Sequence, residues 1–218
     1  MRLPSDWATP GDFATLFQYL WHRDFPIDPG ATGARRVDWT IHIGVVVRAI
    51  ADLMGLLPRF ERGGRKDAII RSTEGDEIAV EWEWGGVWGN ELQKLKAHRS
   101  DSSDHEGPHL FRPVGVEKRP LAYATLITYT HEHNVQRVQE HVSQEWRGAE
   151  CQLLLILIIV EESKRYSSGK DFKRMQSIVF AEDGRAAAFK DSPATPWSVP
   201  GTRWSTEHIR TQERATSR

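Results

Sequence analysis

Residues 78–84 have the sequence IAVEWEW, in which large apolar side chains alternate with small or acidic ones. Successive side chains of a β-strand point to opposite faces, so this alternation predicts a strand. One face carries Ile78, Val80, Trp82 and Trp84, and the tryptophans are most simply core residues. The other face carries Ala79, Glu81 and Glu83. The rise per residue places the two carboxylates about 7 Å apart along that face.

A third carboxylate is predicted beside this pair. Asp67 opens the short apolar stretch 67–70, and the turn at 74–76 makes that stretch an antiparallel neighbour of 78–84. Three carboxylates at close range repel unless a cation neutralises them, and hard oxygen ligands select Mg²⁺, Mn²⁺ or Ca²⁺. The alternative is that Glu81 and Glu83 form a solvated strand face, because alternation alone does not separate the two interpretations.

The surrounding pattern predicts an α/β protein with a mixed central β-sheet flanked by helices on both faces. We expect one domain over residues 1–200, with an N-terminal helical extension at 1–35, a core at 36–192 and a polar C-terminal tail at 201–218. Asp38 is the expected N-cap of the second helix and Asn90 that of the third. The expected helices are 11–22, 38–53, 91–98 and 134–146, the expected strands are 57–60, 68–72, 77–84, 121–129, 153–160, 175–181 and 185–189, and 99–119 is the expected surface loop.

This order of elements, together with the acidic residues on two adjacent strands, resembles the PD-(D/E)XK nuclease superfamily, which has a restriction-endonuclease-like fold. The resemblance covers roughly residues 38–160, and the matching residues are Lys66-Asp67 and Glu81-Trp82-Glu83. The chain departs from the family pattern at two positions. Lys66 stands where a proline is usual, and Glu83 stands where a lysine is usual. Some members place that lysine on the following helix, where this sequence has Lys94 and Lys96.

The resemblance implies DNA phosphodiester hydrolysis that depends on Mg²⁺ (or Mn²⁺), by a nuclease of restriction or prophage-defence type. It implies that Asp67 and Glu81 are direct metal ligands, and that Glu83 is a ligand through water or the base for the attacking water. Lys94 would orient that water or stabilise developing charge. Cleavage of both strands would favour a homodimer. The alternative is a catalytically inactive module of the same fold that binds nucleic acid or a protein partner, and a lysine near the acids discriminates between the two.

Candidate nucleic-acid contacts lie next to the acidic residues. With a net charge of −1 the chain is not generally basic, so any binding of nucleic acid would need a local basic surface around the acidic site. Arg62, Arg65 and Lys66 occupy a glycine-containing turn that could touch a phosphate backbone, although a plain turn explains them equally well. Trp88 follows the acidic strand in a glycine-rich segment and is the tryptophan expected to be exposed and to stack on a base or a partner. The basic stretches 164–165 and 170–174 are further candidates, or solvated loops.

Two other possibilities depend on single residue types. His131 and His133, with His141, His105 or His109, invite a zinc site, but no spacing fixes a third ligand and a surface role is the simpler interpretation. Cys151 is the only cysteine, so no intramolecular disulfide can form, and it is more simply a core residue than a nucleophile. The start of the chain has no apolar signal region and no apolar run is long enough to span a bilayer, so we expect a cytoplasmic protein without a membrane partner.

Overall fold

A computed structural model describes most of the chain. The described residues are 9–25, 36–62, 66–72, 75–84, 86–98, 120–162 and 170–199. The predicted loop at 99–119 and the predicted tail at 201–218 lie outside these ranges. No helix in the described ranges is long and apolar enough to cross a membrane.

The described residues form four α-helices, seven β-strands and two single 3₁₀ turns. Helix α1 begins at Pro10, which occupies the first turn, and Thr9 and Asp12 form a reciprocal capping box at this end of the helix. The helices are α1 (Pro10–Arg23), α2 (Arg36–Leu53), α3 (Glu91–Lys96) and α4 (Val135–Trp146). The strands are β1 (Leu57–Arg62), β2 (Lys66–Ser72), β3 (Gly75–Glu83), β4 (Tyr123–His131), β5 (Gln152–Glu162), β6 (Lys170–Phe180) and β7 (Ala186–Pro193).

All seven strands belong to one mixed sheet in the order β1-β2-β3-β4-β5-β6-β7. The pairs β3–β4 and β4–β5 are parallel, and the other four pairs are antiparallel. Parallel neighbours require a crossover connection, and α3 and α4 lie in the two connections concerned. Strands β3, β4 and β5 therefore end at the same edge of the sheet, which we call the carboxyl edge.

Helices cover both faces of the sheet. One core joins residues of α1 and α2 to Ala68, Ile78 and Val80, with Trp82 and Trp84 packed against it. The second core joins residues of α3 and α4 to Ile69 and Ala79. Strand β5 lies between the two, and its side chains from Leu153 to Val160 are all at most 1% exposed. The α/β architecture with helices on both faces is therefore confirmed.

Three details differ from the sequence-based expectation. Helix α2 already includes Arg36, so the predicted N-cap Asp38 lies within the first turn, where a carboxylate still interacts favourably with the helix dipole. Asn90 precedes α3 as predicted, but its side chain makes no capping hydrogen bond. Strand β6 begins at Lys170 rather than 175, because backbone pairing with Glu161 and Glu162 extends the strand through charged residues that hydrophobic periodicity does not detect.

Candidate active site

The two acidic strands bring Asp67 and Glu81 into contact. In the β2–β3 ladder Ala68 pairs with Val80, so Asp67 lies beside Glu81 at the next position. Asp67 Oδ2 accepts a 2.7 Å hydrogen bond from the backbone N–H of Trp82. Asp67 and Glu81 are close enough that each side chain shifts the pKa of the other. The prediction that these residues lie on adjacent strands of one sheet is confirmed.

Burial determines the protonation of this carboxyl pair. Glu81 is only 2% exposed. Burial, followed by repulsion from Asp67, raises the pKa of Glu81 from 4.5 to about 7. Burial also raises the pKa of Asp67, although the hydrogen bond from Trp82 opposes that rise. Two adjacent carboxyls in this setting share a proton near neutral pH unless a cation replaces it.

Lys94 supplies positive charge to this pair from the last turn of α3. Its ammonium opposes the burial-driven rise in pKa at both Asp67 and Glu81. It also lies 3.6 Å from Glu91 Oε1, one helical turn earlier, and its side chain is 38% exposed. Lys96 points elsewhere, because its Nζ donates to the backbone carbonyls of Glu145 and Arg147. Lys94 is therefore close enough to act electrostatically on both acids, and the orientation of its ammonium towards them stays a prediction.

Glu83 lies on the same strand face as Glu81 and nearer the carboxyl edge. Its charge adds to the burial-driven rise in the pKa of Asp67. Its backbone carbonyl accepts a 2.7 Å hydrogen bond from Thr128 Oγ1, which fixes the end of β3 against β4. In the described ranges, no three His, Cys, Asp or Glu side chains are arranged to hold a metal ion together. The roles of Glu83 as a water-mediated ligand or as a base remain predictions.

The Asp67–Glu81 pair fits a magnesium site even without a third protein carboxylate. Oε1 of Glu81 is buried, and within the described part of the chain it receives no hydrogen bond from an N–H or hydroxyl donor. A buried acceptor of this kind normally has a partner. Mg²⁺ is typically held by one or two carboxylates, with water and substrate phosphate completing its shell. The donor set at this position matches that requirement.

The predicted nucleic-acid contacts fall in different environments. Arg65 lies outside the described residues, and for Arg62 only the backbone is described, paired with Lys66 at the end of β1. Lys66 is 4% exposed, and its charge also opposes the burial-driven rise in the pKa of Glu81. Contact of Lys66 with a phosphate backbone stays a prediction. Trp88 is 48% exposed, as expected.

The remaining candidates are the histidines, the basic stretches and Cys151. His131 and His133 stack on each other with ring centroids 5.7 Å apart, whereas His141 contacts Trp88. His105, His109 and residues 164–165 lie outside the described ranges. At 170–174 the basic side chains of Lys173 and Arg174 form ion pairs with Glu161 and with Glu132 and Asp191, respectively. Cys151 is buried, and burial raises the pKa of its thiol to about 11, which agrees with a core residue.

Sequence reasoning missed two contacts on the α3 and α4 side of the sheet. Glu91 forms an ion pair with Lys94. The Glu91 carboxylate also lies close to Gly89, where an added Cβ would be 2.2 Å from Glu91 Oε2. Arg137 places its guanidinium carbon 4.7 Å from the centroid of the Trp88 ring. The i, i+3 spacing of Glu91 and Lys94 was the signal available for the first contact. No sequence signal connects Arg137 to Trp88.

Comparisons with known proteins give no family assignment. No protein-family model matches the sequence, and no curated protein is significantly similar to it.

Proposed function

We propose that this protein is a divalent-metal-dependent phosphodiesterase of the PD-(D/E)XK type that hydrolyses DNA. The observation that carries the proposal is the Asp67–Glu81 carboxyl pair on adjacent strands, with Glu81 buried and Lys94 near enough for its charge to act on both. The strand order supports the family resemblance. An antiparallel β1-β2-β3 meander is followed by parallel β4, with a helix in the crossover.

Each residue has a definite task in this proposal. Asp67 and Glu81 would hold Mg²⁺ or Mn²⁺, and the Trp82 N–H keeps the Asp67 carboxylate oriented. The bound cation would supply charge for the scissile phosphate and lower the pKa of a coordinated water. Glu83 would accept a proton from the attacking water or hold the cation through water. Lys94 would stabilise the charge that develops on the phosphate, as a substitute for the lysine usual at position 83.

A second candidate is a non-catalytic module of the same fold. Two observations favour it. Glu83 stands where the family usually has a lysine, and the described ranges contain no group of three His, Cys, Asp or Glu side chains arranged to hold a metal ion. In that case the Asp67–Glu81 pair would remain protonated at neutral pH and no cation would bind. Lys94 weighs against this alternative, because its charge acts on both carboxyls.

Plasmid cleavage tests the proposal. The wild-type protein should nick or linearise supercoiled DNA with Mg²⁺ or Mn²⁺, and EDTA should stop the reaction. Asp67→Asn and Glu81→Gln should each abolish cleavage, because each replaces a charged ligand by a neutral group of the same shape. Glu140→Gln is the matched control, since Glu140 is an exposed carboxylate on α4. Cleavage that survives in the double Asp67→Asn, Glu81→Gln variant would refute the assignment.

A further inference from the structure

Trp88 is held in a fixed position by contacts beneath it. The Arg137 guanidinium carbon lies 4.7 Å from the centroid of the indole, and the His141 ring centroid lies 4.8 Å from it. Gly86, at φ +86°, approaches the indole edge so closely that a Cβ there would lie 3.3 Å from Cδ1 of Trp88. The indole is therefore pre-organised rather than free to rotate, which reduces the entropy cost of stacking a ligand on it.

A large part of this indole remains accessible. Arg137 and His141 are four residues apart on α4, so they share one face of that helix, and both contact the indole. Trp88 nevertheless remains 48% exposed. The guanidinium of Arg137 adds positive charge close to any anionic strand that contacts the exposed part of the ring.

The position of Trp88 relates it to the carboxyl pair. Trp88 lies between Glu83 at the end of β3 and Glu91 at the start of α3. Because β3 and β4 are parallel, the segment that leaves β3 and the first turns of α4 lie at the same carboxyl edge of the sheet. The α3 and α4 side of the sheet also carries the face of Glu81. The open indole and the carboxyl pair thus share one end and one face of the sheet.

We propose that Trp88, Arg137 and His141 form a stacking platform for an unpaired base of the DNA strand. This proposal rests on the proposed DNA-hydrolysing function and narrows its substrate to DNA with single-stranded or frayed segments. A continuous duplex hides the faces of its bases, whereas an unpaired base presents a whole π-face to the indole. Base–aromatic stacking tolerates any sequence and contributes strongly to single-strand binding.

Binding to labelled single strands tests the platform. The probes are an oligo-dT of about 12 nucleotides, within the span of single-strand-binding grooves, and an abasic strand of equal length and charge. Measurements in Ca²⁺ use the full chain. We expect Trp88→Ala to weaken oligo-dT binding roughly 10-fold, while abasic binding changes little. Trp88→Phe should retain most of the affinity. Tyr19→Ala is the control, because Tyr19 is 61% exposed on α1, which packs on the opposite face.

The outcomes separate this proposal from the proposed function. Equal affinity of wild type and Trp88→Ala for oligo-dT would overturn the platform, as would an equal loss on both strands or no wild-type binding to either strand. If Trp88-dependent binding is found without plasmid cleavage, the platform stands and the hydrolytic function fails. If Trp88→Ala cleaves DNA and binds oligo-dT as well as wild type does, the hydrolytic function stands and the platform is refuted.

Discussion

Replacing Glu81 by glutamine should make the metal-free protein more stable above pH 7 and should remove the pH dependence that ionisation of Glu81 contributes. Raising the pKa of Glu81 from 4.5 to about 7 means that ionisation in the folded state costs roughly 3 kcal/mol. Below pH 4.5 the carboxyl is protonated in both the folded and the unfolded chain, so this cost is absent. Between pH 4.5 and 7 the unfolded chain releases its proton first, so the free energy of unfolding of wild type falls. Above pH 7 the loss is complete.

Glutamine removes this ionisation and provides an N–H donor for Asp67. Glu81→Gln should therefore exceed wild type in free energy of unfolding by about 1–3 kcal/mol at pH 8, and by much less at pH 4.5. Urea denaturation in EDTA at several pH values measures both quantities. Addition of Mg²⁺ at pH 8 should stabilise wild type but not the variant. The prediction fails if Glu81→Gln has a lower free energy of unfolding than wild type at every pH and the same pH dependence as wild type.

Two further predictions concern single residues. Lys94→Ala should lower the DNA cleavage rate by roughly 10²–10³ with little change in DNA affinity. Lys96→Ala should leave the rate unchanged, because the Lys96 ammonium donates to the backbone carbonyls of Glu145 and Arg147. Steady-state kinetics on a labelled duplex with a single-stranded end measures both rates, and equal rates for the two variants would contradict the prediction. Gly184→Ala should destabilise the fold by roughly 3 kcal/mol, because φ at Gly184 is +80° and the new Cβ would lie 2.1 Å from Ser143 O. Gly148→Ala is the control and should cost only about 1 kcal/mol, because φ is similar at +74° but the space around the new Cβ is open. Equal urea midpoints for the two variants would contradict this prediction.

The sequence predicted the elements whose side-chain pattern reports burial directly. The alternation in 78–84 specified β3 and its acidic face, and the continuous apolar run in β5 predicted a strand covered on both sides. The turn between β2 and β3 predicted that the two strands are antiparallel neighbours with Asp67 near the acids of β3, whereas the exact position beside Glu81 depends on a register shift between Ile70 and Arg71. The position of Lys94 on the helix that follows β3 was likewise sufficient to predict that its charge acts on the acids.

Contacts that depend on how distant elements pack could not be predicted in the same way. Trp88 and His141 meet only because α3 and α4 lie side by side on one face of the sheet. Burial of Lys66 depends on the neighbouring strands rather than on its basic turn. Strand β6 extends through charged residues because backbone hydrogen bonding to β5 does not require apolar side chains. Periodicity and motif spacing carry no information about these long-range effects.

A crystal grown with Mn²⁺ at pH 8, where Glu81 is ionised, would show whether the carboxyl pair binds a metal ion. We expect one anomalous difference peak between Asp67 and Glu81, within about 2.3 Å of an oxygen of each carboxylate. The peak should be absent from crystals of Asp67→Asn grown in the same way. Crystals of wild type without a peak at this position, or with manganese bound only at His131 and His133, would contradict the account.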